Sequence, residues 1–211
     1  SYLENMQKRA YGQMTGMIAL LDYVYYHQKK IIKLIGAQRK KLLHSSRQDL
    51  VAVQMEHVKN GKALHLPVLS LKTGQDSTIV TQNFHPVVQS ISEVDPPLGY
   101  LVPKDCKKII DWCKRQELII KDYIPSDQQK IVHYDVIRVD SIDFEGDIIV
   151  NPQVEARVSR EQIKKGDNIF IPLDQLKSHL IVQALEPKSM LGLITYASFQ
   201  DLLRTGRHKY I

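Results

Sequence analysis

Apolar residues recur at helical spacing along the opening stretch of the chain. Met14, Leu21 and Ile35 are seven or fourteen positions apart, and no proline interrupts the pattern. This period predicts one amphipathic helix from Leu3 to about Leu43. A straight helix of that length would reach about 60 Å at 1.5 Å per residue, so we expect it to bend, to break near Gly36 or to project.

Beyond Ser46 the pattern changes to the alternation typical of β-strands, with short links such as Gly146-Asp147 between them. The strands predicted in this part of the chain are residues 50–58, 66–71, 78–84, 87–91, 98–102, 118–123, 131–139, 148–158 and 168–173. Short links favour antiparallel hairpins. We therefore predict an α+β fold in two parts, a long amphipathic helix over residues 1–46 and a mostly antiparallel β-rich domain with two or three short helices over residues 47–211.

Three short helices are expected in the second part. The first opens at residues 103–105 and ends near Gln116, and its predicted buried residues are Ile109, Ile110, Trp112 and Cys113. The second follows Asp174, whose carboxylate is placed to accept from the amides of the first turn. The third is centred on Phe199, Leu202 and Leu203 and stops at Gly206.

Charge is distributed unevenly along the chain. The net charge is +6, yet seven basic residues and no acidic one lie between His27 and Arg47. Such a segment could bind phosphates or an anionic surface. We interpret it as a solvated helix face, because no aromatic stacking pattern or nucleic-acid motif accompanies it. The sequence also lacks an apolar run long enough to span a membrane and a signal-peptide pattern.

Several stretches resemble one known region. They are IPLDQ followed by an apolar helix, LEPKSMLGL, SFQDLLRTG with Tyr210-Ile211, DPPLGYLVPKDCKKIIDWCKRQELII from Asp95, and FEGDIIV from Phe144. Together they resemble the extreme C-terminal region that follows the catalytic domain in bacterial proteins of the zinc carboxypeptidase superfamily. The opening helix, with Lys8-Arg9 near its start, resembles the helix that closes that catalytic domain.

The resemblance implies a non-catalytic accessory region that supports a catalytic domain or shapes substrate access. The parent protein would hydrolyse C-terminal residues of peptides, in the periplasm or outside the cell. Its catalytic domain would be the main partner of this chain and would hold the zinc, so we expect no cofactor here. Because the chain starts within a helical pattern, we also expect it to be a fragment with an exposed apolar face around Met6, Met14, Met17 and Tyr25.

The zinc motif of the superfamily needs a glutamate three residues after a histidine. None of the eight histidines has one: His27, His44, His57, His65, His85, His133, His179 and His208. No catalytic, cofactor-binding or metal residue is therefore assigned in this chain. Whether the chain should be classed as an enzyme is left open, and we expect it to be inactive alone.

Weaker constellations have simpler explanations. Glu56, His57 and His65 could converge on a metal, but we interpret them as polar faces of half-buried strands. Cys106 and Cys113 are seven apart in the predicted helix, too far apart to bridge, and packing is the expected role of both. The Asp174-Gln175 pair could bond a ligand, and Glu186 could neutralise a Lys or Arg or hold a partner loop.

Two other functions remain open. One is a stand-alone binding module that recognises a glycan, a peptide or an anionic surface. The other is an oligomerisation unit built on the long helix, which would associate with itself. Neither interpretation involves nucleic acid or a membrane span.

Overall fold

The computed structural model describes residues 5–45, 49–126, 130–158, 163–203 and 209–210. The chain divides into two compact units, Ser1–Ser45 and Ser46–Ile211. The fold is α+β, with one long helix, antiparallel sheets and a few short helices, which confirms the predicted class. Across the described residues, no helix combines the length and the apolar character that a membrane span requires.

The first unit is a single helix, α1 (Met6–Ser45, 40 residues). It runs unbroken through Gly36, so the break considered there does not occur. Its apolar side chains are largely exposed, including Met14, Met17 and Leu21, which are 50%, 56% and 63% exposed. Alanines and long unbranched side chains favour helix, and the three glycines of α1 do not outweigh them.

The second unit contains ten strands, two α-helices and two 3₁₀ helices in the described part of the chain. In order they are β1 (Val51–Val58), β2 (Leu64–Leu69), β3 (Asp76–Thr81), β4 (Val87–Val94), β5 (Gly99–Pro103), α2 (Lys107–Arg115), β6 (Lys121–Asp122), β7 (Val132–Phe144), β8 (Asp147–Val158), β9 (Asn168–Pro172), α3 (Ser178–Leu185), 3₁₀ helices at Leu193–Thr195 and Ala197–Leu202, and β10 (Lys209–Tyr210). Every pairing among these strands is antiparallel, as predicted.

Four small sheets make up the unit. β1 pairs with β4, and the hairpin β2–β3 is inserted between them in sequence. β9 lies between β5 and β6, which α2 connects, in the order β5-β9-β6. The long hairpin β7–β8 carries β10 on its other edge, in the order β10-β7-β8. The strand-helix-strand segment expected at residues 98–123 is therefore present, with a third strand from later in the chain between its two strands.

One apolar core joins β1, the β5-β9-β6 sheet, α2 and α3. Its fully buried members include Val102, Ile109, Ile171, Ile181 and Leu185. Val102 and Ile171 project from one face of the sheet, since side chains alternate along a strand. The sheet thus has a core face, and its opposite face carries Leu101 and Phe170.

Several element boundaries differ from the sequence prediction, among them three next to the β5-β9-β6 sheet. Asp174 does not cap α3, because the helix begins at Ser178 with Lys177 at its N-cap and without a side-chain capping bond. α2 begins at Lys107, after a turn at residues 104–105. The strand expected at residues 118–123 is reduced to β6, since only Lys121 and Asp122 pair with β9.

The last predicted helix forms as the 3₁₀ helix Ala197–Leu202. Phe199 and Leu202 pack against the core from it, which agrees with the predicted apolar face. The expected stop at Gly206 lies outside the described residues. Of the predicted buried residues of α2, Ile109, Trp112 and Cys113 are buried and Ile110 is partly buried.

Candidate functional site

A cavity of about 560 Å³ lies in the second unit between β5 and the first residues of β7. Its walls come from residues 97–101 and Pro103 on one side and residues 130–134 on the other. The lining also includes residues from other segments: Asn168 and Phe170 of β9, Val94, Asp95, Cys106, Tyr123, Ile163, Glu186 and Leu202. A concave space of this volume is within the range of ligand sites in proteins.

The carboxyl group of Glu186 forms the polar end of this cavity. Its side chain is only 3% exposed. The Tyr100 hydroxyl donates a hydrogen bond to Glu186 Oε1 at 2.6 Å, and Tyr134 is also hydrogen-bonded to this carboxyl group. Two tyrosines, from β5 and β7, therefore hold one carboxyl group in place.

The position of Glu186 follows from the end of α3. Its backbone is extended where the helix ends, and Pro187 follows it, a residue that cannot continue a helix. The loop after it is fixed by main-chain bonds, from Ser189 N to Glu186 O at 3.1 Å and from Met190 N to Val53 O at 3.1 Å. Glu186 is thus held on both sides by rigid structure.

Burial dominates the electrostatics of this cluster. It raises the pKa of Glu186, because a buried carboxylate loses its hydration, although the bonds from Tyr100 and Tyr134 oppose this shift. Burial also raises the pKa of Tyr134, and the neighbouring Glu186 charge adds to the effect. The hydroxyl of Tyr134 therefore stays protonated and able to donate.

The sequence offers a Lys, an Arg or a partner loop as possible partners of Glu186. Within the described chain, its carboxyl group bonds Tyr100 and Tyr134. Tyr100 lies 86 positions away in sequence, so no local pattern could have indicated the pair.

The histidine and glutamate constellation does not form a metal site. His57 Nδ1 donates to the backbone oxygen of His85 at 3.1 Å, and His85 Nδ1 donates to that of His57 at 2.9 Å. His65 lies on β2, in a different sheet, and Glu56 is exposed on β1. Within the described ranges, no group of three His, Cys, Asp or Glu side chains is arranged to hold a metal ion.

Gln175 has a structural role. Its buried side chain accepts from Ile119 N at 2.9 Å and donates to Ile119 O at 3.2 Å and to Pro172 O at 2.6 Å. These bonds extend the sheet beyond β9 by pairing a side chain with a main chain. The amide is therefore occupied, and the ligand-binding role considered for Asp174-Gln175 finds no support in its contacts.

Both cysteines are free thiols. Burial raises the pKa of Cys106, and it raises the pKa of Cys113 to about 11. A thiol is a weak nucleophile until it loses its proton. Although Cys106 lines the cavity, its chemistry is that of a small apolar residue, as the sequence predicts for both cysteines.

Comparisons with protein-family profiles, curated proteins and solved structures returned no match to this chain. The resemblance to the zinc carboxypeptidase superfamily therefore rests on the quoted stretches alone. The cavity lining combines the Glu186 carboxyl group and its two tyrosines with other polar residues, such as Lys130 and Asn168, and with apolar ones, such as Leu101 and Phe170. A concave site with mixed polar and apolar lining is typical of ligand-binding pockets.

Proposed function

We propose that this chain is the non-catalytic C-terminal accessory region of a zinc carboxypeptidase-like protein, whose role is to support the catalytic domain or to shape substrate access. The observation that carries the proposal is α1. A 40-residue helix with exposed Met14, Met17 and Leu21 has a surface suited to another protein domain. The exposure expected at Met6 and Tyr25 is also present, at 82% and 68%.

The second unit supports the same proposal through the position of the quoted stretches. The IPLDQ stretch forms the end of β9 and includes Gln175, whose side chain bonds the main chain of Pro172. The LEPKSM stretch forms the loop that positions Glu186. Both stretches are mostly buried. They would then be family features because they build the accessory fold.

Among the described residues, no three His, Cys, Asp or Glu side chains are arranged to hold a metal ion. On this proposal, the zinc is bound by the catalytic domain of the parent. Peptide hydrolysis is accordingly a proposed property of the parent alone.

The test is to isolate the native polypeptide with an antibody raised against residues 49–203. We expect a polypeptide larger than 24.3 kDa that contains zinc and releases C-terminal residues from a peptide with a free carboxylate, but not from its amidated form. Deleting residues 49–211 from it should lower stability or alter substrate preference while zinc remains bound. A native polypeptide of 24.3 kDa without zinc would refute the proposal.

A further inference from the structure

The outer edge of β5 carries main-chain groups that face away from β9. In antiparallel pairs, residues that bond the neighbouring strand alternate with residues whose N–H and C=O point the other way. Leu173 N bonds Leu98 O at 3.1 Å, and Lys104 N bonds Asp167 O at 2.9 Å. Leu98 immediately precedes β5 and Lys104 immediately follows it. Their bonds therefore establish which residues of β5 bond β9 and which face outward.

Tyr100 and Val102 therefore bond β9, whereas Gly99 and Leu101 present both their N–H and C=O groups on the outer edge. Pro103 also faces outward, but it has no N–H, and its oxygen accepts from Cys106 N at 3.0 Å. No described strand pairs with this edge, since β5 is terminal in the order β5-β9-β6. Two donors and two acceptors are thus available to an added strand.

The cavity follows this edge. Its wall includes Leu101 and Phe170 from one face of the sheet, and Glu186 and Cys106 from the core side. A space that contacts both faces of a sheet must pass around the edge of its terminal strand. Residues 130–134 form the opposite wall, so the cavity of about 560 Å³ lies between β5 and β7.

The two faces also offer different surroundings to alternate side chains. An extended chain beside β5 would point successive side chains to opposite faces. One face presents Glu186 with its two tyrosine hydroxyls, and the other presents the Phe170 ring and the Leu101 side chain. Main-chain pairing would give affinity, and the alternating polar and apolar surroundings would give selectivity.

We propose that β5 is a docking edge for an extended peptide, which adds as a fourth strand beside Gly99–Pro103 and fills the cavity. The peptide pairs with the N–H and C=O groups of Gly99 and Leu101. This inference goes beyond the proposed accessory role and does not depend on it, because it is tested on the isolated full chain.

The first measurement is amide hydrogen exchange on the free 211-residue chain by NMR. We expect the amides of Tyr100 and Val102 to be protected by β9 and those of Gly99 and Leu101 to exchange at least tenfold faster. Equal protection of all four amides would mean that another segment of the same chain already pairs with the outer edge of β5. That result would overturn the proposal.

The second measurement uses a displayed library of random eight-residue peptides selected on the full chain. Synthetic copies of enriched peptides should slow exchange at Gly99 and Leu101 and bind with normal saturation. The informative variant is Leu101→Pro, which removes an outward donor and leaves the β9 ladder intact. Its matched control, Leu101→Val, keeps the N–H.

We expect Leu101→Pro to weaken peptide binding by about tenfold or more, because a hydrogen bond is lost and the ring obstructs strand addition. Leu101→Val should bind within about twofold of the wild type. If Leu101→Pro fails to fold, peptides N-methylated at alternate residues test the same pairing, because they lack donors on the peptide instead of on β5. Failure of the library to enrich, or enriched peptides that bind regardless of these changes, would overturn the proposal.

Discussion

The Glu186 carboxyl group lies in surroundings very different from water. It is buried, it accepts from two tyrosines, and burial raises its pKa. A carboxyl group with a raised folded-state pKa holds its proton more tightly in the folded than in the unfolded chain. Its contribution to stability is then greatest at low pH and falls as the pH rises above the unfolded value of about 4.3.

Replacing Glu186 with Gln should remove this pH dependence. Relative to the wild type, Glu186→Gln is expected to gain stability progressively as the pH rises from about 4 towards neutrality. Chemical denaturation of both proteins at several pH values measures the difference. The matched control is Asp122→Asn, since the bond from Lys104 lowers the pKa of Asp122 and its difference should have the opposite sign. A pH-independent difference for Glu186→Gln would contradict the assigned burial effect.

Tyr100→Phe tests the bond at the other end of the cluster. Loss of the hydroxyl leaves a buried acceptor with one donor fewer, which is expected to cost about 1–3 kcal/mol of unfolding free energy. The exposed hydroxyl of Tyr196 provides the control, because Tyr196→Phe should change stability by less than about 0.5 kcal/mol. Equal effects of the two substitutions would show that the Tyr100–Glu186 bond adds nothing to stability.

The roles of single residues were predictable only where they depend on neighbours close in sequence. The burial of Trp112 and Cys113 follows from helical spacing in α2. The Glu186 cluster joins three elements that are distant in sequence, and two of the three Gln175 bonds join Ile119, 56 positions away. Neither arrangement leaves a periodic signal.

At the scale of elements, β5 depends on a glycine. A Cβ at Gly99 would lie 2.4 Å from Ile171 O and 2.5 Å from the Phe170 ring, so the two strands would have to separate. Gly99→Ala is therefore expected to lower the unfolding free energy by about 1–3 kcal/mol. Gly36→Ala in α1 is the comparison, because nothing lies within 4 Å of its added Cβ and helix propensity improves. Thermal unfolding distinguishes the two, and a neutral Gly99→Ala would contradict the close approach.

The exposed apolar stripe of α1 should cause self-association of the isolated chain. We expect sedimentation to show oligomers that increase with concentration, and Leu21→Lys to reduce them by placing a charge in the stripe. Ala19→Lys adds the same charge on the opposite face of the helix, so it should have little effect. If both variants associate like the wild type, α1 is not the contact surface.

Element types were more predictable than element ends. Alternation indicated β7 and β8, and their Glu145-Gly146 turn has positive φ at both residues, as a tight hairpin requires. Asp174 was a plausible cap from sequence alone. Its neighbour Gln175 bonds the backbone of Pro172 and Ile119, so residues 173–177 form bends and turns and α3 begins only at Ser178.

For the whole molecule, the division into units predicts independent stability. All buried members of the main core lie between Val51 and Leu193, so α1 supplies none of them. Removing residues 1–45 should therefore leave the unfolding midpoint of the remaining chain within a few degrees of its value in the full protein. Calorimetry of the two chains measures this, and a fall of more than about 10 °C would show that α1 stabilises the second unit.

Global pairing was the least predictable level. The hairpins β2–β3 and β7–β8 follow from short links, whereas the pairing of β1 with β4 and of β5 with β9 joins strands separated by other elements. Such contacts depend on which apolar faces meet, and alternation within a strand does not specify its neighbour. The cavity beside β5 could not be predicted for the same reason.

The pairing of β7 with β8 limits how the length of this hairpin can differ among relatives of this protein. Its outer part, from Ile142 paired with Ile149 to the Glu145-Gly146 turn, is a two-stranded ladder beyond the residues that pack on the core. Adding one residue to each strand would exchange its two faces, while adding two would keep them. Because this outer part does not pack on the core, either change should be tolerated, and natural insertions and deletions here should come in even numbers, shared equally by the two strands.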